Sequence, residues 1–341
     1  MKKITVFLPQ NKEQILSCYP FLQEITNLYP DGEIHLLILE ELKKYLLFFE
    51  KNFFIHTYNL EDYNVAGLYK YIYNLKRVNN IDIYIDLVGT LASATIGIFV
   101  KANQRIGLDK GMARFLYNQR IQISTHMSSE RIYLNLLRKW NNKSDENFFI
   151  SRECKDVNPF EGPLVQNRLI SQEFTKGYFL CLIDSLGDIK SELYQDGNER
   201  EDTTEEHFWR SFFESFTDQR FVVFSEKIDD ELSDFLKSLT SRNDYFHQRG
   251  HNLEDLSALL DYSSAVLTDS SFYSSVGIYF QKPVFLLRAK NLELPLSYYI
   301  KNRPFVVKVD GERYEVTLGK TKRSLSSINQ VVDLVHEVLK I

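Results

Sequence analysis

Apolar positions along this chain switch repeatedly between a two-residue and a helical period. Residues 3–8 (KITVFL) form a short β-branched run closed by Pro9-Gln10-Asn11-Lys12, and apolar residues then recur at helical spacing over 15–28. The alternation continues with a strand at 33–39 (EIHLLIL), a helix-like stretch, a strand at 53–58, a helix at 65–78 and a strand at 81–87 (IDIYIDL). Beyond Trp140 the chain turns polar and broken, through Asn141-Asn142-Lys143-Ser144-Asp145-Glu146 and Asn158-Pro159-Phe160-Glu161-Gly162-Pro163, which places a linker near 158–175. A second series follows, with strands at 178–183, 220–224, 265–267 and 284–287 and helices at 205–216, 229–239, 253–260 and 271–280; an amphipathic helix at 326–341 closes it. Strands alternating with helices predict an α/β protein with mostly parallel sheets covered on both faces. The predicted organisation is an N-terminal domain over 1–165, a second over 166–325 and a closing helix over 326–341. Such domains bind ligands at the carboxyl ends of their strands, so a cleft between them is the expected site.

Length agrees with two domains, because 341 residues exceed the roughly 250–300 at which one core stops growing. A content of 44% hydrophobic and 26% charged residues is that of a globular chain. The net charge of −5 gives no global basic field, which argues against a nucleic-acid partner. Cys18, Cys154 and Cys181 are far apart, and the histidines (His35, His56, His126, His207, His247, His251, His336) show no ligand spacing, so neither a metal nor a disulfide framework is expected. A reducing cytoplasm fits. The first apolar run is too short for a signal-peptide core, and no stretch approaches the roughly 18 apolar residues of a membrane span. Dinucleotide-binding, Walker-type and Gly-x-Ser-x-Gly motifs are absent from the sequence, which removes the usual dehydrogenase, NTPase and hydrolase readings.

Candidate chemistry concentrates at Thr268-Asp269-Ser270-Ser271. A strand that turns through two serines into a helix offers hydroxyls and backbone N–H groups at a helix N-terminus, which favours phosphate; the same residues are also ordinary helix caps. The whole stretch RGHNLEDLSALLDYSSAVLTDSSFYSSVGIYFQKPVFLL, residues 249–287, resembles the nucleotide-sugar-binding core of the family 9, heptosyltransferase-type glycosyltransferases, down to Lys282-Pro283 before the last strand. Residues 85–121 are similar to that family's N-terminal half at Asp86, Gly89, Arg105, Gly107, Tyr117 and Arg120, with His126 and Arg131 opening the next helix. DIKSELYQDGNEREDTTEEHFWRSFFESF resembles the family's lysine followed by a tryptophan-bearing helix start, with an insertion around 195–202.

The resemblance implies a GT-B fold, two Rossmann-like doubly wound domains facing across a cleft. It implies inverting, metal-independent sugar transfer without a cofactor. The donor would be a nucleotide-diphosphate sugar such as ADP-heptose, held by Lys190, Asp269, Ser270 and Ser271. The acceptor would be an anionic glycolipid or oligosaccharide such as lipopolysaccharide core, met by Arg120 and Arg131, whose guanidinium forks suit oxyanions. The enzyme would be cytoplasmic, peripheral at the inner face of the plasma membrane.

Three positions depart from the family pattern. Transfer needs a base for the acceptor hydroxyl, which in the family is an Asp, usually after Gly, in the loop after the first strand. That pair falls on Glu13-Gln14, and an amide cannot take a proton. Glu13 is therefore the expected base, although one helical step rotates it by about 100°. Ser271 stands where the family has Gly, and Ser274 where it has His. Two other readings stay open: a catalytically idle GT-B module that binds a sugar nucleotide or a partner glycosyltransferase, and a GT-B-like sugar-nucleotide epimerase.

Overall fold

A computed structural model describes residues 1–48, 53–63, 67, 81–122, 129–141, 177–182, 214, 220–225, 245–249, 256, 259–260, 262–268, 270–280, 282–287, 305–310, 313–318 and 321–339. The chain divides into two compact units, Met1–Ser151 and Arg152–Ile341. The linker expected near 158–175 lies outside the described residues.

In the first unit, β1 (Lys3–Phe7) leads into α1 (Lys12–Ser17) and α2 (Tyr19–Leu28). The single helix expected over 15–28 is in fact two. Proline lacks the N–H that a helix interior needs, so Pro20 sits in the first turn of a new helix, with Cys18 at the junction. Asn11 caps α1, its side-chain oxygen accepting from Glu13 N at 2.8 Å. The unit continues with β2 (Glu33–Leu39), a 3-10 stretch (Glu40–Phe48) in place of a regular helix, β3 (Phe54–Tyr58), β4 (Ile83–Asp86), α3 (Leu91–Phe99) and β5 (Gln104–Leu108). A 3-10 turn (Met112–Leu116), β6 (Gln119–Ile121) and α4 (Ser129–Trp140) complete it. The helix expected at 65–78 lies, apart from Gly67, outside the described residues.

All six strands run parallel in the order β3-β2-β1-β4-β5-β6. The central registers are apolar, with Ile4 beside both Ile34 and Ile83, as a sheet buried on both faces requires. From β1 the chain moves outward one way to β2, and from β4 the other way to β5. Right-handed crossovers therefore put α1 and α2 on one face and α3 on the other. Tyr29 at the end of α2 stacks on Trp140 of α4, ring centroids 6.1 Å apart.

The second unit contains β7 (Tyr178–Leu182), β8 (Phe221–Ser225), β9 (Tyr245–Arg249), β10 (Ser263–Thr268), α5 (Ser271–Tyr279), β11 (Val284–Leu287), β12 (Phe305–Asp310), β13 (Arg313–Leu318), β14 (Thr321–Leu325) and α6 (Ile328–Leu339). They build a sheet of order β14-β13-β12-β11-β10-β7-β8-β9. Phe179 anchors its core between Phe221, 5.6 Å away, and Phe285, 6.5 Å away.

The last three strands form an antiparallel meander that the strand-helix alternation does not anticipate. Its signal is present in the sequence. Asp310 pairs with Arg313 and Leu318 with Thr321, each across two residues that begin with glycine, Gly311-Glu312 and Gly319-Lys320. A glycine opening a two-residue loop is a hairpin signature.

Candidate functional site

Both sheets reverse direction of growth at one place, β1 beside β4 in the first and β7 beside β10 in the second. Taking only the parallel strands, β12-β11-β10-β7-β8-β9 repeats the order of the first sheet. At such a reversal the connections leave to opposite sides and open a crevice at the carboxyl ends, the place where doubly wound sheets bind ligands.

In the first unit, Asp86 ends β4 at this point with no solvent exposure. One carboxylate oxygen accepts from Val88 N at 2.8 Å and Gly89 N at 3.0 Å. The other accepts from Tyr117 OH at 2.6 Å and Ser93 Oγ at 2.7 Å. Burial pushes the carboxyl upward from its usual range, and these four hydrogen bonds pull against it. Burial and the Asp86 charge both raise the Tyr117 phenol. With both oxygens so held, Asp86 cannot serve as an acceptor's base; it fixes the loop after β4.

That loop turns at Gly89, whose positive φ of 75° suits glycine and which has open space where a side chain would be. Thr90 then caps α3 in a reciprocal box, accepting from Ser93 N at 3.2 Å while Ser93 Oγ accepts from Thr90 N at 3.1 Å. Tyr63 hydrogen-bonds Thr90, and it packs with Phe7 and Tyr58; Gln10 donates to Tyr58 OH at 3.3 Å. Sequence reading misses Tyr63, Thr90 and Ser93. The Thr90-x-x-Ser93 capping pattern was the available signal for two of them.

Gly107 lies against the ring of Tyr117, where a Cβ would collide. Arg105 directs its guanidinium to backbone oxygens, donating to Leu116 O at 3.0 Å and Ala102 O at 3.1 Å. These two positions of the 85–121 resemblance thus shape the loop that carries Tyr117.

Glu13 sits half-buried in the first turn of α1, just beyond the carboxyl end of β1, and Gln14 beside it is exposed. The Asn11 cap fixes the backbone of that turn through Glu13 N. Arg120, on β6, is exposed, with its guanidinium 5.8 Å from the ring centre of Phe115. The backbone of Arg131 lies in α4; its side chain is outside the described residues.

In the second unit the reversal point is built from hydroxyls. Thr268 ends β10 fully buried, and its Oγ1 accepts from Ser270 N at 3.0 Å, which bends the chain toward α5. Ser270 occupies the cap position of that helix, and its carbonyl accepts from Ser274 N at 2.9 Å, yet its hydroxyl makes no capping hydrogen bond. It is half-buried. Ser271 begins the helix, where backbone N–H groups point outward along the axis. Ser274 is fully buried, so its hydroxyl faces the core and not a ligand. Lys282 donates its ammonium to Ser263 O at 2.8 Å, tying the approach to β11 to the start of β10. Lys190 and Asp269 lie outside the described residues. Among the described residues no three metal-binding side chains converge, and no helix is long and apolar enough to cross a membrane.

Comparison with known proteins locates this architecture. No protein-family profile and no characterised protein sequence matches the chain. Solved structures do. E. coli heptosyltransferase WaaC, determined with ADP, superposes with a TM-score of 0.64 at 13% identity over 99% of this chain and 98% of its own. E. coli ADP-heptose lps heptosyltransferase II gives 0.67 at 13% identity, over 99% and 98% of the two chains. A glycosyl transferase of family 9 from Veillonella parvula gives 0.69 at 15% identity, over 91% and 88%. The chain therefore has the heptosyltransferase-like GT-B fold, with two Rossmann-like α/β domains.

Proposed function

We propose that this chain is a glycosyltransferase that moves heptose or a related sugar from a nucleotide-diphosphate donor to a cell-envelope glycolipid. The observation that carries the reading is the β10–α5 turn, which sets Ser270, with an uncommitted hydroxyl, and Ser271 at a helix start and at a reversal of strand order. Helix starts of this kind favour phosphate, and the neighbour of the same fold was determined with ADP. In this reading Ser270, Ser271, Asp269 and Lys190 hold the donor diphosphate.

Glu13 is the general base. It follows β1 on the strand adjacent to β4, so it shares the first reversal point with the loop held by Asp86. Arg120 and Arg131 meet the anionic acceptor. Transfer proceeds with inversion and without a metal, the diphosphate leaving toward the N-terminus of α5 as the base removes the acceptor proton. A cytoplasmic enzyme peripheral to the inner membrane face fits these substrates.

The test is calorimetry with ADP, followed by transfer assays with ADP-heptose and lipopolysaccharide core. Binding with turnover supports the proposal. Absence of nucleotide binding ends it. Nucleotide binding without transfer favours the idle module, a reading motivated by Gln14 in place of the family's Asp.

A further inference from the structure

The 3-10 turn Met112–Leu116 has three residues per turn, so residues three apart share a face. Ala113 and Leu116 point inward, packing with Ala94 of α3 and with Tyr117. Met112 and Phe115 point the other way and are 70% and 58% exposed. Leu91, one turn before Ala94 on α3, adds a third large apolar side chain at 52% exposure. Two such groups on one turn, with a third on the helix that the turn packs against, mark a surface that meets something apolar.

The surrounding charge says what. Arg114 and Arg120 place guanidinium groups 4.8 Å and 5.8 Å from the centre of the Phe115 ring, and Lys110 is exposed just before the turn. Residues 101–122 contain five basic side chains, Lys101, Arg105, Lys110, Arg114 and Arg120, against the single acid Asp109, in a chain whose net charge is −5. Among the described residues Lys110, Arg114 and Arg120 form no ion pair. Apolar tips ringed by cations complement the boundary between acyl chains and anionic headgroups, where aromatic and basic side chains act together.

We infer that Leu91, Met112 and Phe115, with Lys110, Arg114 and Arg120, form the surface by which this protein docks on an anionic lipid bilayer. The inference rests on the glycolipid acceptor proposed above and deepens it. Leu91 directly follows the Val88–Gly89–Thr90 loop, so docking here brings that loop to the membrane surface from which a glycolipid headgroup projects.

The experiment is flotation of the full chain with vesicles of phosphatidylglycerol and phosphatidylcholine, and of phosphatidylcholine alone, at low and high salt. Binding is expected only to the anionic vesicles and is expected to weaken with salt. The double variant Met112→Ser, Phe115→Ser should lower partitioning by about tenfold or more, and Arg114→Gln by about fivefold. Melting temperature and ADP affinity measured on the same samples should match the parent. A parent that ignores anionic vesicles, or a double variant that floats as well as the parent, overturns the inference. A dimer of the parent in light scattering that the double variant abolishes, without vesicle binding, assigns the surface to a second copy instead. Vesicle docking without ADP binding would remove the proposed activity and leave the docking surface standing; ADP binding without docking would do the reverse.

Discussion

The two reversal points share a topology and differ in what their polar groups are doing. In the first unit a fully buried carboxylate is saturated by two backbone N–H groups and two hydroxyls. In the second, Thr268 orients Ser270 and the Ser270 hydroxyl is left without a cap bond. One loop is fastened by charge and the other bent by a hydroxyl. Strand order tells where a ligand enters, and the state of the polar groups tells which residues are free to meet it. By that criterion Asp86 is a positioning residue of the first loop, whereas Glu13 and Ser270 are the groups we propose for chemistry.

The largest effect that would break this contrast is on turnover. Glu13→Gln is expected to lower the rate of sugar transfer by about two to four orders of magnitude with ADP affinity nearly intact, as loss of a general base does. Full activity in a steady-state assay of that variant would move the base elsewhere. Asp86→Ala comes next, leaving four donors without their acceptor, and should destabilise the first unit by about 3–5 kcal/mol in urea unfolding. Tyr117→Phe, which removes one donor from the same carboxylate, should cost about 1 kcal/mol. If both variants unfold like the parent, the fastened loop is a misreading.

At the second point, Ser270→Asp puts a negative charge where phosphate is proposed to bind. It should weaken ADP binding by about tenfold in calorimetry while hardly changing the unfolding midpoint. Equal ADP affinity in the variant would count against the donor assignment. The smallest effect is one of acid. His35 Nδ1 and His56 Nε2 are hydrogen-bonded at 3.0 Å, and burial lowers the affinity of both rings for protons. The unfolded chain therefore binds protons near pH 6.5 that the native fold resists, so the stability these rings allow is present above that pH and lost as it falls below. Thermal melts between pH 7.5 and 5.5 should show the decline, and His56→Gln should flatten it.

Much of the fold was legible because parallel strands buried on both faces read as short β-branched runs. EIHLLIL maps onto β2 with the expected bounds and VFLL onto β11. Polar strands escape that reading. YFHQR of β9 and TKRSL of β14 carry too few apolar residues to announce themselves, and they become strands because a neighbour supplies the ladder. The break at Cys18 was hidden by an apolar period that continues through it, although Pro20 marked it. At the site, Ser270 was readable as a turn before a helix. The Asp86 cluster was only half readable, because Tyr63 and Tyr117 reach Thr90 and Asp86 from 27 and 31 positions away along the chain.

The order of strands also sets an order in time. Every strand of the first sheet lies between Lys3 and Ile121, whereas β7, at the reversal point of the second, begins at Tyr178. A ribosome thus delivers β4 to β1, and the Asp86 loop with it, before any of the second sheet has been made. The second sheet is less fortunate: β7 must wait for β10, and β14 arrives only at Thr321. Domains of a growing chain fold from the N-terminus as units, and unpaired parallel strands are exposed while they wait. The nascent protein is therefore expected to carry a finished first unit and an open second one for most of the latter half of its synthesis, so that its exposure to misassembly falls on the second unit.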